Sequence, residues 1–172
     1  FLVLLNSSIK CQNVDSLENI IKNTTQDSTK VTLYINNIIT PLKENGKLEL
    51  AEKYCLLIFD KYNSNPYLKL NIGITYVQVL IASEKLNEAS DLITKLMIKA
   101  IETKNVIAQA KCLKEKAFLQ LYSGNYETAA ELYYEALTKW KETNDLIRIA
   151  IGYGDLAVIN YYLGHFKEAA DY

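Results

Sequence analysis

The chain has 172 residues, 49% hydrophobic and 23% charged, which is enough apolar matter for a packed core and too much for a disordered tail. Lys and Arg number 19 against 20 Asp and Glu, so the formal net charge is −1 and no basic excess attracts nucleic acid or an anionic membrane surface. With Gly 6 and Pro 2, breaks are few and long helices are expected.

Phe1-Leu-Val-Leu-Leu5 is an apolar run followed by Asn6-Ser-Ser8, in the manner of the end of a secretory leader. Residues 1–12 are therefore expected to be a signal-peptide remnant, with the remainder exported or anchored facing the periplasm; a cytoplasmic location is the alternative. The run has about a quarter of the ~20 apolar residues a membrane span requires, so any anchor would lie elsewhere. Lys10 directly before Cys11 argues against a lipid-modified cysteine. Residues 13–29 are expected to form a short helix, capped by Asp15 or Ser16, and a polar link. The polar stretch runs Asn23-Thr-Thr-Gln-Asp-Ser-Thr-Lys30.

From residue 30 onward the chain repeats itself. Ser123-Gly-Asn-Tyr-Glu-Thr-Ala-Ala-Glu-Leu132 recurs as Leu163-Gly-His-Phe-Lys-Glu-Ala-Ala-Asp-Tyr172, 40 residues later. Ser83-Glu-Lys-Leu-Asn-Glu-Ala-Ser-Asp-Leu92 lies 40 before the first of these, and Asn45-Gly-Lys-Leu-Glu-Leu-Ala51 lies 38 earlier still, counted from Ala51 to Ala89. Each copy joins two amphipathic helical patterns. Tyr76, Val77 and Leu80, or Leu156, Ala157 and Asn160, share a face before the turn, and Ala129, Tyr133, Ala136 and Leu137 share one after it. Gly46, Gly124 and Gly164 fall at the corners, where a residue tolerant of positive φ ends a helix cheaply. Asn105 and Asp145 are suited to cap the next first helix, because their side chains accept the orphan N–H groups of a first turn. Pro41 falls inside the first helix of the first copy and is expected to kink it. One helix pair cannot bury its own apolar face, so the pairs must stack.

The pattern Leu156-Ala157 … Gly164-His-Phe166 … Ala169, with Gly124-Asn-Tyr126 … Ala129 … Tyr133 … Ala136, resembles the tetratricopeptide repeat in a longer version of about 40 residues rather than 34. The resemblance spans residues 30–172 and implies an all-α right-handed superhelix of about three and a half helix pairs, without strands. Lys116 and Gln120 stand where the family prefers Leu and an aromatic, Lys47-Leu48 follows Gly46 in place of an aromatic, and the closing proline is absent. Taken with the leader-like start, the chain looks like the sensor region of bacterial regulators in which such repeats precede a histidine kinase or a DNA-binding output.

Chemistry of other kinds finds little support. Cys11, Cys55 and Cys112 are widely and irregularly spaced, which is no disulfide framework, and Cys55 and Cys112 sit at apolar helical positions as small core residues. His165 is the single histidine, so neither a paired-imidazole catalytic site nor a His-rich metal site is available. Phosphate-binding and nucleophile-elbow signatures are missing from the sequence. Glu49, Glu52, Glu88, Asp91, Glu127 and Glu131 read as solvated outer faces of second helices. Gly152-Tyr-Gly154 reads as a pair of close-packing positions in a helix.

The resemblance implies that first-helix residues line an inner wall. By register these are Asn71, Ile74, Gln78 and Ile81, then Lys111, Lys114, Phe118, Leu121 and Tyr122, then Ile151, Val158, Tyr161 and Tyr162. The expected peptide-binding residues are Gln78, Lys111, Lys114, Phe118, Tyr122 and Tyr161, with aromatic side chains as anchors and the two lysines holding an acidic group. The family's lysine and asparagine clamp for a chain-terminal carboxylate is not recognisable here. The expectation is a non-enzymatic scaffold binding a protein or peptide, with no cofactor, no metal and no nucleic acid. The alternatives are a free-standing adaptor, a self-associating repeat protein, or the non-catalytic part of a larger kinase.

Overall fold

The corners set the architecture. In the computed structural model, which describes residues 14–172, six residues take a left-handed conformation, and each stands two places beyond the end of a helix: Gly46, Glu84, Lys104, Gly124, Asn144 and Gly164. The last five are spaced by 20 residues. At five of the six corners the next residue donates its N–H to the carbonyl five positions back, at 2.9 Å: Lys47 to Leu42, Lys85 to Leu80, Asn105 to Ala100, Asn125 to Gln120 and His165 to Asn160. This closure satisfies carbonyls that a helix end otherwise leaves orphaned, and it folds each helix back on the one before.

Between the corners lie α1 (Val14–Lys22), α2 (Asp27–Tyr34), a π-helical turn (Ile35–Ile39), α3 (Thr40–Glu44), α4 (Leu48–Lys61), α5 (Pro66–Ala82), α6 (Leu86–Glu102), α7 (Val106–Tyr122), α8 (Tyr126–Glu142), α9 (Leu146–Tyr162) and α10 (Phe166–Asp171). No strand occurs among the described residues, and none of their helices is long and apolar enough to cross a membrane. The fold is all-α and repeat-like, as expected, and α5 to α9 each have 17 residues. Asn105 Oδ1 accepts from Ala108 N and Asp145 Oδ1 from Arg148 N, as their positions predict. Asn65, which the sequence reading passed over, caps α5 in the same way through Tyr67 N and Leu68 N.

The core is likewise sequential. One apolar cluster joins α1 to α5, a second joins α5 to α7, and two more join α7 to α9, so each pair rests on its neighbours. Ala129, Tyr133, Ala136 and Leu137 are all buried, on the face that the spacing assigned to them. Cys55 and Cys112 are core residues, and burial pushes both thiols up to about 12. Gly152 is a close-packing position: an added Cβ would stand 2.9 Å from Leu137 Cδ1 and 3.0 Å from the Trp140 ring. Gly154 is not one, for nothing lies within 4 Å of its Cβ position.

The amino-terminal expectations need adjustment. Helix α1 begins at Val14, so positions 15 and 16 lie inside it rather than ahead of it, while the leader expected at 1–12 lies outside the described residues. The polar link is shorter than expected because α2 begins at Asp27, halfway along the polar stretch 23–30. The short helix packs onto the array, for Ile21 is buried in the first core and Tyr54 Oη donates to Glu18 Oε1 at 2.6 Å. Pro41 does not break its helix. The turn ahead of it widens, Thr40 N–H donating to Ile35 O five residues back, and the helix continues with the proline in the first turn of α3.

Candidate binding cleft

Helices α5, α7 and α9 begin 40 residues apart, so residues 71, 111 and 151 share a register, as do 75, 115 and 155, and 78, 118 and 158. Two adjoining clefts open along this wall. The first, about 560 Å³, is lined by Thr32, Ile35 and Asn36 of the amino-terminal helix, Asn71, Ile74, Thr75 and Gln78 of α5, Lys111, Lys114 and Glu115 of α7, Trp140 of α8, and Arg148 and Ile151 of α9. The second, about 530 Å³, takes Lys43, Ile81, Ala82, Phe118 and Asp155 and shares Gln78, Lys114 and Glu115 with the first.

Four of the six expected binding residues therefore meet: Gln78, Lys111, Lys114 and Phe118. The other two do not join them. Tyr122 is the exposed last residue of α7, and Tyr161 packs at the end of α9 against Tyr162 and Phe166, with ring centroids 6.1 and 5.6 Å away; neither lines these clefts. Both sit on the last turn of a helix, and on α7 and α9 the cleft linings end at Phe118 and Asp155, before that turn.

The polar groups on the wall are paired across helices. Gln78 Nε2 donates to Glu115 Oε1 at 2.6 Å, and Lys114 Nζ lies 3.1 Å from Asp155 Oδ2. Arg148 is paired with Asp145 one turn earlier in its own helix. Burial raises the Glu115 carboxyl above its usual range; the Gln78 amide and the Lys114 and Lys43 charges oppose that effect without cancelling it. Burial also raises Asp155, against the pull of Lys114. Lys111 moves the other way: desolvation depresses its pKa, the neighbouring Arg148 charge depresses it further, and Glu115 only partly compensates.

The sequence reading missed Glu115, Asp155, Arg148 and Trp140. The first two had a legible signal, since Thr75, Glu115 and Asp155 follow one another at intervals of 40, next to positions already assigned to the wall. Trp140 had none, because it belongs to a second helix and reaches this wall only where Gly152 leaves room for its ring. Glu52, expected on a solvated face, is half-buried instead. It pairs with Lys85 at 2.8 Å and accepts from Tyr76 Oη at 3.4 Å, so it joins α4 to the next pair. Among the described residues, no group of three His, Cys, Asp or Glu side chains is placed to hold a metal ion.

No family model matches the chain, and no curated protein matches it. Among solved structures it is similar to the crystal structure of BtubC (BKLC) from P. vanneervenii, with a TM-score of 0.70 at 17% identity. The likeness covers 91% of this chain but 65% of that one, so the chain spans about two thirds of its neighbour's length. At that identity the similarity concerns the fold.

Proposed function

We propose that the chain is a protein-interaction module of tetratricopeptide-like repeats, wound as a superhelix, whose first-helix wall holds a peptide or a helix of a partner protein. One observation carries this reading. Side chains at equivalent positions of successive first helices line two clefts that share Gln78, Lys114 and Glu115, which makes one groove long enough for several residues of a ligand. Phe118, exposed beside the Lys114–Asp155 pair, is suited to be an apolar anchor, and the surrounding amides and charges supply hydrogen bonds that fix orientation. The leader-like start extends the proposal to an exported sensing region of a bacterial signalling protein of the histidine-kinase type.

Selection of peptides from a random library on the immobilised protein, followed by anisotropy titration, tests this. Phe118→Ala is expected to weaken the selected peptides about thirtyfold, since a buried anchor commonly contributes ~2 kcal/mol. Wild-type affinity in that variant would place binding elsewhere. Self-association is a second reading, and a specific observation favours it: Leu146 and Ile147 at the start of α9 are 78% and 75% exposed, and Tyr161, Tyr162 and Phe166 are exposed at its other end. Light scattering at rising concentration separates the two readings.

A further inference from the structure

A separate cavity of about 560 Å³ opens where α4, α5 and α6 meet, and it shares no lining residue with the two clefts. Its apolar side is Phe59 of α4, Pro66 and Leu70 of α5, and Leu92 and Leu96 of α6. Gly73 makes room for two of these, since a Cβ there would stand 2.6 Å from Leu96 Cδ2 and 3.0 Å from Phe59 Cε2. The polar side is Lys69, Lys95 and Lys99 with Asn63 and Ser64, and no carboxylate lines the cavity. Asn63 and Ser64 belong to the Tyr62–Asn65 corner, which is one residue longer than the three-residue corners of the array.

The three charges are weakly answered. Lys69 Nζ lies 4.6 Å from the centroid of the Phe59 ring and donates to Asn63 Oδ1, and neither partner carries a charge. Lys95 forms no ion pair among the described residues. Lys99 pairs with Glu102 at 2.9 Å, but both side chains are exposed, and such a pair holds its partners loosely. The next junction along the chain is built differently. Forty residues on, Gln109 stands in place of Lys69 and donates to Ala100 O at 3.1 Å, tying α7 to the end of α6, and Glu135 stands in place of Lys95. Cations gathered over a hydrocarbon floor are therefore particular to this junction and do not follow from the repeat.

We propose that this cavity binds a small single-tailed amphipathic carboxylate of the fatty-acid class, its hydrocarbon against Phe59, Leu70, Leu92 and Leu96 and its head among Lys69, Lys95 and Lys99. Sites for small molecules commonly enclose ~300–1,000 Å³ and set a few convergent polar groups in an apolar lining, which is the composition here. A neutral apolar molecule would leave the cations without a counter-charge, and a cationic amphiphile would be repelled. An extended peptide fits poorly, because its backbone N–H and C=O groups would lie unsatisfied against hydrocarbon. The site is independent of whatever the first-helix wall holds.

Three ten-carbon probes that differ in the head test it: sodium decanoate, decanol and decyltrimethylammonium, each titrated by calorimetry below the concentration at which it aggregates. Decanoate is expected to bind saturably at one equivalent, roughly tenfold or more tightly than either of the others, and to weaken with added salt. Lys69→Gln combined with Lys95→Glu places at this junction the side chains that the next one carries, and it should lose roughly tenfold or more in decanoate affinity while keeping a cooperative melt. Should the double variant fail to melt cooperatively, Lys95→Glu alone, on an exposed side chain, carries the same test. A nitroxide-labelled fatty acid locates the site: it should broaden the amide resonances of residues 63–70 and 92–99 and spare residues 111–118. The proposal is overturned if decanoate does not saturate, if decanol or the cationic probe binds as tightly, or if the folded lysine variants bind as the wild type does. Broadening confined to residues 111–118 would also overturn it, by placing the anion in the first-helix groove, and would leave the peptide reading of that groove standing.

Discussion

The stretch from α1 to α4 and the array from α5 to α9 reach the same end, a row of helices with a shared wall, by different packing. The first core is built from bulky side chains: Ile21, Ile38, Ile39, Ile58, Tyr34 and Tyr62 surround only two small ones, Ala51 and Cys55. In the array the small residues are many more, with Ala89, Ala100, Ala108 and Cys112 in one cluster and Ala110, Ala117, Ala129 and Ala136 in the next two. Alanine at a contact lets helix backbones approach closely, and close approach of equal helices is what a fixed period needs. Bulky residues fill irregular space, and this is where the π turn, the 14-residue α4 and the Tyr62–Asn65 corner without a left-handed residue are found. A strict sequence period therefore marks where the interfaces are interchangeable, and its lapse marks where a specific core has taken over.

If that contrast holds, the two regions should fail in opposite ways. The largest effect is expected from a cavity in the amino-terminal core. Ile58→Ala removes a side chain that is 1% exposed and should cost about 2–5 kcal/mol, read from urea unfolding. In the array the damaging direction is enlargement: Ala129→Leu should overpack the α8 interface and cost roughly 1–3 kcal/mol. An unchanged melting temperature there would show the register to be wrong. The corners sharpen the comparison further. Gly124→Ala, at φ 77°, should lose about 1 kcal/mol, whereas Lys104→Gly, at φ 51°, should gain a few tenths to about 1 kcal/mol, since its left-handed backbone carries a β-carbon penalty. Shifts of the same sign would mean that the corner conformation is not what decides them.

The smallest effect concerns the join between the regions, where the charge of Lys43 acts on Glu115 of the array. Burial raises the Glu115 carboxyl above its ordinary 4.5, so the folded chain holds this proton more tightly than the unfolded chain does. The associated stability is fully present below pH 4.5 and is lost as pH rises through the folded-state value. Glu115→Gln should therefore be the more stable protein at pH 7, with an advantage that fades as the pH falls towards 4.5. Thermal melts across that range check it, and an advantage that grew on acidification would contradict the burial argument.

The 40-residue period, the pairing of amphipathic helices, the buried faces of α8, the caps Asn105 and Asp145 and the glycine corners were all readable in the sequence, because each depends on residues within a turn or two of one another. The non-glycine corners Glu84, Lys104 and Asn144 were hidden only by the choice of residue, since with Gly124 and Gly164 they fall at regular intervals of 20. What tertiary structure alone decided is the content of the groove. Gln78 meets Glu115, Lys114 meets Asp155, and the Trp140 indole reaches the first-helix wall through the space left at Gly152. These are encounters between helices, set by how far each is rotated and how closely it approaches, and a small rotation exchanges one partner for another. The same reason kept Tyr122 and Tyr161 apart from the clefts: register placed them on the wall, but on α7 and α9 the cleft linings end at Phe118 and Asp155, before the last turn.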